Sequence, residues 1–169
     1  MEPYISYSHN PSETQGKSNC LPTALYRILK KWYQLKGKSK LFPFDELKDF
    51  EDYCRFKAND YDGGIATLGL LKLLKKARYF KDFAYVGKTP KEFHEALKDG
   101  PFLVVIRRYE DVPSNVYKVG EQERKTSHAM AVWGWDGDNF KISDPNRLYM
   151  RKLNPENFDV VVNAFKIQL

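Results

Sequence analysis

NCLPTALYRILKKWYQL, residues 19–35, reads as the start of an amphipathic helix and puts a cysteine in its first turn. Asn19 is a good N-cap, and Pro22 falls within the first turn, where a missing N–H costs nothing. Leu21, Ala24, Leu25, Ile28, Leu29, Trp32 and Leu35 recur at helical spacing, while Arg27, Lys30, Lys31 and Gln34 fill the other face. The pattern predicts a helix buried on one side and closed by Gly37 at C′. A thiol at that address meets unpaired backbone N–H groups and the positive end of the macrodipole, both of which favour thiolate. Cys20 is therefore a candidate nucleophile.

The rest of the N-terminal half also reads as helix. Phe44 to Cys54 carries Leu47, Phe50 and Tyr53 on one side, Asn59 to Gly64 is a loop, and Thr67 to Tyr79 is a second amphipathic segment. Thr89-Pro90-Lys91-Glu92 is a capping box, which starts a short helix running to about Leu97 before Asp99-Gly100-Pro101 stops it. Strand signals then take over. Phe102 to Ile106 is a compact run rich in β-branched residues, and HAMAVWGW at 128–135, Asn139 to Ser143, Leu148 to Leu153 and Val160 to Ile167 follow, with a helical turn at Pro155 to Phe158. Between them the polar stretch from Arg107 to Ser127 reads as a long loop with a short strand at Val116 to Val119, and its entry into the His128 strand predicts that it gates a cleft. Helices first and an antiparallel sheet afterwards make an α+β fold, in one domain over residues 1–169, with the site in the cleft between the halves.

His128, downstream of Cys20, stands in the order of a base after its nucleophile. An imidazole that takes a thiol proton needs an acceptor on its other nitrogen to fix its tautomer. Asp144 is the natural candidate, because the Asp136-Gly137-Asp138 hairpin pairs the strand it ends with the strand His128 begins; Asn146 is the reserve. Acyl transfer also needs oxyanion donors, and the side-chain amide of Gln15 can supply one beside the Cys20 backbone N–H.

With 169 residues, 42% of them hydrophobic and 15% aromatic, the chain has ample material for a core. Its net charge of +6 comes as short basic runs, read as solvated helix faces, and no nucleic-acid motif accompanies them, so neither nucleic acid nor membrane is expected as a partner. No apolar stretch approaches the roughly 20 residues of a membrane span, and the first residues lack a signal peptide's apolar core. The expected location is cytoplasmic, with export as an effector or after leader removal left open. Two cysteines argue against a disulfide scaffold, Cys54 reads as a structural thiol, and neither cysteines nor histidines are spaced as a ligand set, so no metal or cofactor is expected. Oligomeric state is not legible.

These residues resemble the papain-like cysteine peptidases, and within them the peptidases that remove double-glycine leaders from bacteriocin precursors. NCLPTALYRILKKWY is similar to that group's cysteine helix, HAMAVWGWDGDNFKISDPN to its histidine strand and Asp-Pro, LNPENF to the segment that follows, and GPFLVV at 100–105 to the Gly-Pro strand before the histidine. The resemblance implies a papain-like fold with Cys20 as nucleophile, His128 as general base and acid, Asp144 as orienting acceptor and Gln15 as oxyanion donor. It also likens Gly63 and Gly64 to the papain-type glycines that hydrogen-bond substrate backbone. Two positions depart from the pattern. Gln15 lies one residue closer to the cysteine than usual, and Leu21 stands where the leader peptidases have glycine and papain-like enzymes tryptophan.

The implied activity is thiol hydrolysis of a peptide or isopeptide bond in a peptide or protein substrate, through a thioester. Transglutamination, deamidation or acyl transfer could use the same three residues, because water and amines compete for one thioester. A catalytically dead peptide-binding homologue is the third class.

Overall fold

Helix α1 runs from Cys20 to Leu35 and buries Leu21, Ala24, Leu25, Ile28, Leu29 and Trp32 of the predicted stripe, whereas Leu35 in its last turn is 43% exposed and Thr23, Tyr26 and Arg27 are buried as well. Each large aliphatic in that stripe is worth about 1.5–3 kcal/mol when fully buried. Past the end of α1, Gly37 adopts φ 68°, the left-handed conformation in which glycine is least strained. The structure, a computed structural model, describes residues 7, 14, 19–61, 63–109, 116–117, 123–148 and 150–169.

Three further helices follow: α2 over Leu47–Ala58, α3 over Thr67–Lys76 and α4 over Pro90–Leu97. The strands are β1 (Asp82–Tyr85), β2 (Phe102–Tyr109), β3 (Val116–Tyr117), β4 (Glu123–Trp135), β5 (Phe140–Ser143), β6 (Met150–Leu153) and β7 (Val161–Gln168). They form a seven-stranded sheet in the order β1-β7-β2-β4-β5-β6-β3. Every pairing is antiparallel except that of β3 with β6.

Both faces of the sheet centre are covered, which is why FLVVI at 102–106 is continuously apolar rather than alternating. Leu103, Ala129, Ala131, Trp133, Phe165 and Ile167 pack with the α1–α3 layer. Phe102, Val104, Ile106, Met130 and Val132 pack with Phe93, Ala96 and Leu97 of α4. Thr89 caps α4 as predicted, its hydroxyl accepting from the Glu92 N–H at 3.2 Å, and the Glu92 carboxylate reaches back to that hydroxyl at 2.9 Å.

The α+β class and the order of elements agree with the sequence reading, and the differences have local causes. α2 starts at Leu47 instead of Phe44, because Pro43 holds the preceding chain extended and Phe44 packs its ring against Phe42, Phe50, Tyr53 and Tyr79. α3 ends at Lys76, where Arg78 takes φ 66° and the Tyr79 N–H turns back to the Leu74 carbonyl. β1 went unrecognised, being a four-residue edge strand with little burial. The largest correction concerns Arg107 to Ser127, read as loop: β2 and β4 continue into it as a polar ribbon in which Tyr109 pairs with Glu123. Its short strand is present at Val116–Tyr117.

Candidate active site

The first turn of α1 has an unusual N-terminus. Asn19 occupies the N-cap position, yet its side chain makes no capping bond, contrary to expectation. Its amide is drawn sideways onto α2, donating to Glu51 Oε2 at 3.1 Å and accepting from Arg55 Nε at 2.9 Å. With the Asn19 side chain turned away and the Thr23 N–H bonded to the Asn19 carbonyl, the Leu21 N–H of this turn and the Ala129 N–H of β4 act on the Cys20 sulfur.

Cys20 is half-buried and hydrogen-bonded to His128. Burial works against its thiolate, but the imidazole and the two backbone N–H groups outweigh it, and the thiol pKa falls below its ordinary value. His128 is buried, and its Nε2 lies 2.7 Å from Asp144 Oδ1, which leaves Nδ1 for the thiol. Burial opposes the imidazolium, whereas hydrogen bonds to Asp144 and Cys20 favour it, and its pKa is raised. Burial likewise opposes the Asp144 carboxylate, yet His128, the Asn146 N–H and Arg151 together hold it well below the usual carboxylate range.

Asp144 lies just beyond β5, whose last residue, Ser143, pairs with Ala131. The hairpin therefore brings Asp144 near His128, and a side-chain bond spans the remaining diagonal. The Asp136 carboxylate closes the hairpin by accepting from the N–H groups of Asp138 and Asn139 at 2.9 and 2.8 Å. Asn146 is exposed and gives its backbone N–H to Asp144 Oδ1 at 2.9 Å. Arg151 on β6 donates to Asp144 Oδ2 at 3.2 Å. The buried Arg27 of α1 donates through Nη1 to the Ser143 hydroxyl at 3.0 Å and to the Asp144 carbonyl at 2.9 Å. A half-buried thiol is thus in line with an imidazole and a carboxylate, at the junction of a helix N-terminus and a sheet.

The same arrangement of chain occurs in solved structures. A protein of Bacillus anthracis described as a C39-like peptidase superposes over 99% of this chain and 98% of its own, with TM-score 0.64 at 15% identity. The fold is papain-like. The peptidase domain of Streptococcus ComA, an ABC transporter of a quorum-sensing pathway, matches over 95% of this chain and 98% of that domain, with TM-score 0.59 at 16% identity. Xylellain, a cysteine protease of Xylella fastidiosa, matches over 98% of this chain and 85% of its own, with TM-score 0.72 at 11% identity. No family model matches the chain and no curated protein matches it in sequence, so the likeness rests on structure.

Within this papain-like frame the remaining candidates fall as follows. Gly63 and Gly64 lie in the turn between α2 and α3, and a side chain added at Gly64 would meet nothing within 4 Å. Gln15 and His9 lie outside the described residues. Cys54 is fully buried and its thiol is pushed up to about 12 by burial and by Glu51, which suits a structural role. His94 packs against Trp135 and Phe140, with ring centroids 4.7 and 4.8 Å away. Among the described residues no group of three or more His, Cys, Asp or Glu could hold a metal ion, and no helix is long and apolar enough to cross a membrane.

Sequence reasoning missed the buried charges around the site. The sequence pattern places Arg27 on the outer face of α1, but it is 7% exposed. Its spacing held the signal, because seven residues complete almost two turns and set Arg27 on the same stripe as Cys20. Glu51 and Arg55 stand four apart on α2, in register with the buried Leu47, Phe50 and Cys54.

Proposed function

We propose that the chain is a cysteine peptidase that cleaves peptide or isopeptide bonds through Cys20, His128 and Asp144. The observation that carries this reading is the continuous hydrogen-bonded line from a thiol at a helix N-terminus, through a buried imidazole, to a carboxylate 2.7 Å away. Its occurrence in a fold shared with peptidases supports it further.

In this mechanism the Cys20 thiolate attacks the scissile carbonyl carbon, and the carbonyl π electrons move onto oxygen. The Cys20 backbone N–H receives that oxyanion, with the Gln15 side-chain amide as second donor. As the tetrahedral species collapses, the C–N bond breaks, the His128 imidazolium gives its proton to the departing amine, and a thioester remains on Sγ. Water then attacks the thioester with neutral His128 as base, and hydrolysis releases a carboxylic acid and restores the thiol. Asp144 keeps Nε2–H engaged so that Nδ1 faces the sulfur throughout. Gly64 offers exposed backbone for the substrate chain, beside a Gly63 whose N–H and carbonyl are held by Asp60 and Arg55.

Incubation with a peptide and protein library tests the reading. The expected result is new N-termini that vanish in Cys20→Ala. Ammonia release without new N-termini would refute the peptidase reading in favour of deamidation or transglutamination. Alkylation of wild-type Cys20 by iodoacetamide no faster than that of a free thiol, at every pH, would refute the nucleophile itself.

A further inference from the structure

The polar cluster behind the nucleophile is costly, because it places Glu51 and Arg55, 8% and 7% exposed, against the fully buried Thr23. An apolar pair on α2 would pack there at lower cost, so what the charges add is geometry. Glu51 Oε1 accepts from the Thr23 hydroxyl at 2.9 Å and Glu51 Oε2 from the Asn19 amide. A carboxylate only accepts and a guanidinium only donates, so the amide has one possible orientation, Nδ2 to Glu51 and Oδ1 to Arg55. The residue preceding Cys20 is clamped from both sides.

The same guanidinium continues beyond Asn19. Its Nη1 donates to the carbonyls of Asp60, at 3.3 Å, and of Gly63. The Asp60 carboxylate closes that turn by accepting from Gly63 N–H at 2.9 Å, and lies 3.9 Å from Arg55. One planar fork thus ties the Gly63 carbonyl to the residue that precedes the nucleophile. We propose that Arg55 is a positioning residue, held by Glu51 through Asn19, which sets the distance between the Cys20 sulfur and the Gly63–Gly64 backbone and so the binding of a peptide chain across the cleft. It rests on the peptidase reading and adds to it the side chain that builds the substrate-side wall.

Arg55→Lys keeps the charge, but a single ammonium lacks the fork that serves Asn19 and Gly63 together. Glu51→Gln keeps the shape, but it faces the Asn19 amide with an amide of its own and frees Asn19 to turn away from Arg55. Both variants and wild type would be treated with iodoacetamide, which reads the thiolate alone, and with a panel of N-acylated dipeptidyl and tripeptidyl chloromethyl ketones, which read the thiolate and the wall. In folded variants, checked by circular dichroism, we expect the peptidyl reagents to inactivate at least tenfold more slowly, through a weaker KI. The iodoacetamide rate and its pH profile should stay within twofold.

The proposal is overturned if no folded variant shows that split, whether because both reagents act as on wild type or because both slow in parallel. It is also overturned if neither variant folds, since the cluster is then a fold determinant. Wild type that reacts with iodoacetamide but with none of the peptidyl reagents would refute the peptidase reading and take the role of Arg55 with it. A peptide-reactive wild type with indifferent Arg55 and Glu51 variants overturns only the role of Arg55.

Discussion

Asp144→Asn removes one charge from the buried line while keeping its shape, and its consequence can be worked from the distances. With Nε2 and Oδ1 2.7 Å apart, the centres of imidazolium and carboxylate are about 4 Å apart, a separation worth about 4 kcal/mol at an effective dielectric near 20. That attraction, with the hydrogen bond, is what raises the His128 pKa against burial, and an asparagine oxygen retains only the hydrogen bond. Arg151 and Arg27 remain in the variant and, with the carboxylate gone, oppose the imidazolium. Alkylation of Cys20 by iodoacetamide, followed against pH, should therefore lose its low-pH reactivity, with a rate near pH 6 at least about 100-fold below wild type. Stability should fall too, by about 3–5 kcal/mol, because removing one partner of a buried pair leaves the other uncompensated. The sign with pH follows from the depressed Asp144 pKa. Its contribution is complete above the unfolded carboxylate value of about 3.9 and is lost as pH falls below it, so the stability gap between wild type and variant should narrow on acidification. A folded Asp144→Asn protein with the wild-type alkylation profile would refute the claim that this carboxylate sets the charge of His128.

Three further outcomes are expected. Arg27→Met should lower stability in urea by about 3 kcal/mol, because it strips the donor from the buried Ser143 hydroxyl and Asp144 carbonyl; a change below about 0.5 kcal/mol would contradict that account. Gly100→Ala should cost about 1–3 kcal/mol, since φ is 153° and the new Cβ would sit 2.8 Å from the ring of buried Trp32, while the Cys20 alkylation profile should not move. Cys54, its thiol pushed up to about 12, should resist iodoacetamide in the native protein and react once the chain is unfolded, so native labelling of both thiols would contradict its burial.

The parts of this structure that were legible from sequence are those in which local chemistry and burial agree. Helix α1 shows its apolar stripe at 3.6-residue spacing, and α4 announces itself through Thr89, Pro90 and Glu92. The hairpin at Asp136 is written in turn residues, which is why the sequence pairs Asp144 with His128. Illegible features were those in which tertiary contacts override residue type. Arg27, Glu51 and Arg55 look like surface residues, and only their position on buried stripes distinguishes them from Lys30 or Asp52. Nothing in Asn19 as a helix cap indicates that its amide is spent on α2 instead. The polar Glu123–Ser127 segment carries no strand pattern, and its extended form follows from continuing the β2–β4 ladder past the core.

The Ser143–Asp144 segment and the Gly63 turn are attached to α1 in the same way. The parts of the proposed site come from distant stretches of chain, and the sheet ladder stops at Ser143, one residue before the carboxylate. Beyond that point Arg27, on the Cys20 stripe of α1, fastens the Ser143–Asp144 segment. On the other side Arg55, through Asn19 at the head of α1, fastens the Gly63 turn. In each case a buried guanidinium reaches main-chain carbonyls, which bind it regardless of the side chains those residues carry. The two turns are therefore referenced to one helix rather than to each other, so displacing one should leave the other in register with the sulfur. Substitutions at Arg27 should accordingly act on thiolate chemistry and those at Arg55 on peptide binding, and in a double variant their effects on the rate of peptidyl inactivation should multiply. Strong departure from multiplication would mean that the turns communicate through the cleft and that α1 is not an independent reference for each.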